Sequence, residues 1–180
     1  MKKTKKTNSS EGFSFVELMV VIALVGILSA IGLPSFLRSL PEKRLKNAAR
    51  NLYVDLQKAR LLAVKENKSV TVTFDTAAGQ YSFTEGGIAV TESLADYGAV
   101  KYGCPPSLIA NNNWRATDDD PNNAIPSAGV TDNITFTNLG VANTEDIYLQ
   151  SDNDQTVCYA VTVSMFGSVR VLRYNGSDWE

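Results

Sequence analysis

The order of apolar and polar positions divides the chain into three stretches with different periods. From Phe13 to Leu33 almost every residue is apolar, in the run FSFVELMVVIALVGILSAIGL. As a helix these 21 residues reach about 32 Å, against a bilayer core of about 30 Å. From residue 42 to 67 the apolar positions recur at steps of four and three. Leu45, Ala49, Leu52, Leu56, Ala59 and Ala63 share one narrow arc, and Lys43, Lys46, Arg50, Lys58, Lys65 and Lys68 lie opposite. This predicts an amphipathic helix with one buried stripe and one basic face. The basic face reads as solvation or as a surface for the acidic side of a neighbouring subunit. Ala48, Ala49, Ala59 and Ala63 would let a sheet approach closely.

After Asn67 the period becomes two. Val70, Val72 and Phe74 alternate with Thr71 and Thr73, and Tyr81 and Phe83 alternate with Ser82 and Thr84. Asp75–Gln80, containing Gly79, supplies the turn of a hairpin. Ile134 with Phe136, and Ile147 with Leu149, mark two short strands. Val157, Tyr159, Val161 and Val163 mark the clearest strand, and Gly167-Ser168 suits a tight II′ turn into Val169–Tyr174. The expected fold class is α+β: a long N-terminal helix, transmembrane and then amphipathic, packed on antiparallel β-sheets. Residues 101–130, rich in Asn, Asp, Pro and Ser, form a connection too long to be ordinary.

Two prolines bear on the helix. Pro34 lacks the N–H that would bond to the Ala30 carbonyl, which predicts a kink or break. Ser39-Leu40-Pro41-Glu42 reads as a capping box. The helix either restarts near residue 40 or continues as one long, bent helix.

Charge sharpens the division. Residues 1–12 carry a net +3, residues 13–70 a net +5 and residues 71–180 a net −10, within a chain total of −2. The acidic distal half repels a phosphate backbone. Lys2, Lys3, Lys5 and Lys6 precede the apolar run and place the N-terminus in the cytoplasm by the positive-inside rule. The remainder is then on the far side of the membrane. There Cys104 and Cys158, an even number in an exported chain, suggest one disulfide, with two free thiols as the alternative. Cys158 has the opposite phase to Val157 and Tyr159, so a bond to Cys104 would pin the long loop to the outside of the sheet.

The chain has no histidine, which removes every mechanism that needs an imidazole base or ligand. No constellation of catalytic residues stands out, and no enzyme activity or cofactor is expected. Asp118-Asp119-Asp120 and Asp152-Asn153-Asp154 offer oxygen ligands, but neither follows the EF-hand spacing. They read as solvated acidic loops, with no metal expected.

Glu17 is the anomaly of the apolar run. A carboxylate in a membrane helix is costly and normally has a partner. No Lys or Arg follows it until Arg38, about 30 Å further along the helix. The stretch Gly12-Phe13-Ser14-Phe15-Val16-Glu17-Leu18 stands between a short basic leader and the apolar run with Pro34. It resembles the processing site of type IV pilins and type II secretion pseudopilins. The resemblance implies that a membrane aspartyl peptidase cuts between Gly12 and Phe13 and methylates the new amine on Phe13. It also implies that Glu17 is the assembly residue. The physics agrees: the new amine of one subunit can pair with Glu17 of another, so that neither charge lies alone in an apolar core. Ordinary signal cleavage after Ala30-Ile31-Gly32, or a plain membrane anchor, is the alternative.

The resemblance extends further. Ala48–Phe74, Ile134–Phe136 with Leu139-Gly140, and Phe166-Gly167-Ser168-Val169-Arg170-Val171 are similar to H-type minor pseudopilins and FimT-like minor pilins. It implies a leader at 1–12, a transmembrane and filament-core helix at 13–40, and a periplasmic pilin-like domain at 41–180. The subunit is expected in the inner membrane as a single-pass protein, and then in a pseudopilus or pilus. Its expected partners are the prepilin peptidase and other minor and major pseudopilin or pilin subunits. The leading function is a minor pseudopilin of a type II secretion system at or near the pseudopilus tip. A minor pilin priming a type IV pilus is the alternative. A DNA-uptake role is disfavoured: some FimT-like proteins end in Gly-Arg-x-Arg, whereas Gly167-Ser168-Val169-Arg170 lacks the first arginine.

Overall fold

In the computed structural model, which describes residues 13–104, 133–174 and 179–180, helix α1 spans Phe15–Glu66 without interruption. The restart near residue 40 does not occur. Ser39 Oγ donates to the Phe36 carbonyl at 2.8 Å, inside the helix, rather than capping a new one. Pro34 and Pro41 each remove one backbone donor, and the flanking helix formers carry the helix through both. By internal contacts the chain divides into two compact units, residues 1–39 and 40–180.

In the second unit the expected stripe is buried. Leu45, Ala48, Ala49, Leu52, Leu56, Ala59, Leu62 and Ala63 enter one core with residues from two sheets. All four small alanines are buried in that core. The first sheet contains β1 (Val70–Asp75), β2 (Gln80–Glu85), β3 (Ile88–Ser93) and β5 (Ile134–Phe136), in the order β3-β2-β1-β5. The second contains β4 (Val100–Tyr102), β6 (Glu145–Ser151), β7 (Asp154–Val163) and β8 (Val169–Tyr174), in the order β4-β6-β7-β8. All pairings are antiparallel. The expected α+β class is the observed one.

The middle of the chain is richer than its pattern suggests. β3 follows β2 through Gly86 and Gly87, with Glu85 opposite Ile88. Both glycines have positive φ, 57° and 83°, as a two-residue I′ hairpin requires. A 3₁₀ turn at Leu94–Tyr97 then leads to β4, which takes the start of the expected loop into the second sheet. Most of that loop, and Asp118-Asp119-Asp120 with it, lies outside the described residues.

Two further expectations change. The β7–β8 connection runs from Ser164 to Ser168, because Val163 pairs with Val169. It is a five-residue loop closed by Gly167 N–H to the Ser164 carbonyl at 2.7 Å, not a two-residue II′ turn at Gly167-Ser168. Cys158 does point away from the main core, but not to an open surface. It is fully buried in a second cluster with Cys104, Tyr148, Ala160 and Tyr174, flanked by Leu172 and Trp179. The second sheet is therefore covered on both faces.

Candidate functional site

The candidate site is the first half of α1. Every large apolar side chain from Phe13 to Leu37 is exposed, from Val21 at 46% to Phe13 at 80%. This is the one described helix long and apolar enough to cross a membrane. Contiguous apolar surface on this scale does not stay in water; lipid or other helices cover it.

Glu17 lies in the first turn of this helix, where the N-terminal end of the helix dipole favours a negative charge. Among the described residues it has no ion-pair partner. The first turn closes with the Leu18 N–H donating to the Ser14 carbonyl at 3.1 Å. Phe13 precedes the helix, so its amine would stand about one turn from Glu17 on the same chain. Gly12 lies outside the described residues, as do Lys2, Lys3, Lys5 and Lys6.

The other sequence candidates fall in the second unit. Cys104 and Cys158 are bonded through their sulfurs, with Cα atoms 5.7 Å apart. The basic face is partly used within the chain: Lys58 pairs with Glu85 at 2.5 Å. That hydrogen bond to Glu85 is the main cause raising the lysine's pKa. Asp152 pairs with Lys101. Among the described residues no group of three His, Cys, Asp or Glu side chains converges as a metal site.

Two features carry no obvious sequence signal. The Tyr81 hydroxyl donates to Asp55 at 2.6 Å, joining β2 to α1; burial first, and then this bond, push the phenol pKa well above its ordinary value. Arg60 clamps two loops through the carbonyls of Gly140 and Phe166. The alternation of Tyr81 gave no hint of a carboxylate partner. Arg60 stands within the Ala-Arg pair of the family-like segment, but only the fold shows what it holds.

An apolar N-terminal helix bearing one acid, continuous with a helix packed on antiparallel sheets, defines a pilin-like subunit. Residues 7–33 match the prokaryotic N-terminal methylation motif. Residues 48–167 match the family described as type II transport protein GspH, and the chain belongs to that family.

Among curated relatives, the type IV major pilin protein PilA of Myxococcus xanthus is 35% identical over 52 residues, 29% of this chain and 24% of that one. A fimbrial protein of Moraxella nonliquefaciens is 55% identical over 29 residues, 16% of this chain and 19% of that one. The chain thus spans a quarter or less of the length of these relatives. Among solved structures, the type IV minor pilin FimU of Pseudomonas aeruginosa has a TM-score of 0.50 at 16% identity, covering 77% of this chain and 94% of its own. The minor pseudopilin EpsH from the type 2 secretion system of Vibrio cholerae has a TM-score of 0.49 at 11% identity, covering 72% and 96%. At such identities the FimU likeness speaks for the fold alone.

Proposed function

We propose that this chain is a minor pseudopilin of a type II secretion system. It is a structural subunit at or near the pseudopilus tip that supports protein secretion. The observation that carries the filament role is Glu17: an acid in an exposed apolar helix, with no partner among the described residues. Family membership over residues 48–167 favours the secretion system over a type IV pilus. The pilin relatives match only short stretches, and both kinds of filament use the same anchor physics.

In this reading a prepilin peptidase cuts between Gly12 and Phe13 and methylates the Phe13 amine. The leader is lost, residues 13–40 hold the subunit in the inner membrane, and residues 41–180 lie in the periplasm. On assembly the Phe13 amine of one subunit meets Glu17 of a neighbouring major or minor subunit. The pair replaces two costly lone charges with one compensated contact. Pro34, without a donor for the Ala30 carbonyl, gives the helix a point at which to bend as it packs.

Mass spectrometry of the mature protein tests the processing step. The expected N-terminus is methylated Phe13. A chain beginning at Leu33 would be an ordinary signal-peptidase product and would contradict the reading.

A further inference from the structure

Strand β8 ends the second sheet, so one of its edges has no strand of that sheet beside it. One pair of bonds shows which backbone groups face that edge. The Arg173 N–H donates to the Glu180 carbonyl and the Glu180 N–H donates to the Arg173 carbonyl, both at 2.8 Å. In an antiparallel ladder a residue directs its N–H and C=O to the same side, and successive residues alternate. Arg173 therefore faces away from β7, and so do Val171 and Val169. Ser168 fits this alternation, since its carbonyl accepts from Ser164 on the β7 side at 3.0 Å. Glu180 fills the Arg173 position. Among the described residues no backbone bond reaches Val171 or Val169 on the open side.

Alongside this edge runs an open groove of about 470 Å³ between α1 and β8. Lys46, Arg50 and Tyr53 line it from the helix, and Val169, Arg170 and Val171 from the strand. Its three cations are uncompensated: none of Lys46, Arg50 and Arg170 has an ion-pair partner among the described residues. Glu42, on the same helix, is engaged by Arg173 through bonds of 3.1 and 2.8 Å. The cations also stand on both sides of the edge. Val169 and Val171 pack toward the core under α1, where Lys46 and Arg50 lie, whereas Leu172 and Tyr174 belong to the opposite cluster. By alternation Arg170 is on that opposite face.

We propose that the open edge of β8 accepts an extended acidic segment of a neighbouring filament subunit, added as a fifth strand of the second sheet. The identity of the partner as a filament subunit rests on the function proposed above. The edge supplies main-chain hydrogen bonds, which only a polypeptide backbone satisfies in register. The cations select the partner's charge: carboxylates on alternate residues, which share one face of the added strand, meet Lys46 and Arg50, and an acid at an intervening position meets Arg170 on the other face. The same cations disfavour pairing of two β8 edges, because like charges would then face each other.

The test uses the full chain in detergent micelles and a short synthetic peptide alternating valine and aspartate. The peptide is expected to bind and to slow amide hydrogen exchange at Val169 and Val171. Arg170 and Leu172, already bonded to β7, should change little. A peptide N-methylated at alternate amides should not bind. The exposed double substitution Lys46→Glu with Arg50→Glu should weaken binding by about tenfold, with the melting temperature unchanged. No binding, equal binding of the N-methylated peptide, or a groove that prefers a DNA duplex to the peptide would each overturn the proposal. The assay needs no filament, so its failure sinks the edge proposal alone. The filament reading is judged separately, by assembly of the Glu17 variant.

Discussion

Arg60 on α1 donates its Nε–H to the carbonyl of Gly140 at 3.0 Å, and its Nη2 reaches the carbonyl of Phe166 at 3.2 Å. One guanidinium thus holds the loop after β5, from the first sheet, and the β7–β8 loop, from the second. Gly167 makes this convergence possible. A Cβ there would stand 2.0 Å from the Gly140 carbonyl oxygen and 2.9 Å from Arg60 Nε.

Gly167→Ala should therefore be among the more damaging single substitutions in the domain. The positive φ of 69° and the collision with backbone act together. The expected loss is about 3 kcal/mol. Gly79→Ala is the control, because Gly79 has a similar φ of 66° and nothing within 4 Å of its Cβ position. It should lose only about 1 kcal/mol. Urea unfolding of both variants checks the difference, and equal losses would mean that the close approach does not matter.

How much of this was legible depended on whether the controlling contact was local. The α1 stripe from Leu45 to Ala63 was readable because a helix repeats its buried face at fixed spacing. The strand at Val70–Asp75 was readable because it alternates against one core, and Val157–Val163 because its larger apolar side chains, at every second position, enter that same core. β3 was missed although Gly86-Gly87 is a strong hairpin signal; Ile88 and Ala89 are exposed, so no burial pattern marked the strand. The II′ reading of Gly167 failed because its positive φ serves a five-residue loop pressed against Gly140, a residue distant in sequence. In the candidate site, Glu17 stood out because one acid interrupts an apolar run. The Arg60 clamp and the open β8 edge depend on pairings that no sequence spacing announces.

The Cys104–Cys158 bond closes a separation of 54 residues. By loop-closure entropy it should stabilise the domain by about 4 kcal/mol. Replacing both cysteines with alanine, or reducing the bond, should lower the urea midpoint accordingly. An unchanged midpoint would show that Tyr148, Ala160 and Tyr174 hold the second cluster without the cross-link.

The buried phenols predict alkaline sensitivity. Burial first, and then nearby acids, raise the pKa of Tyr81, Tyr102 and Tyr148 above the ordinary tyrosine value of about 10. The folded state therefore favours the protonated phenol. That contribution is complete below the unfolded value and is lost as pH rises from there through the folded values. Stability should fall above about pH 10, and these phenols should ionise only on unfolding. Ultraviolet titration of phenolate checks this; a full tyrosine complement ionising reversibly in the folded protein would contradict it.

The central claim is that Glu17 serves assembly, and incorporation of Glu17→Ala into filaments tests it most directly. Cleavage between Gly12 and Phe13 should proceed as in the parent, because the acid lies beyond the cut. The processed variant should remain in the membrane and be absent from isolated filaments. Recovery of processed Glu17→Ala in filaments at the parent level would contradict the pairing of Glu17 with a neighbour's amine.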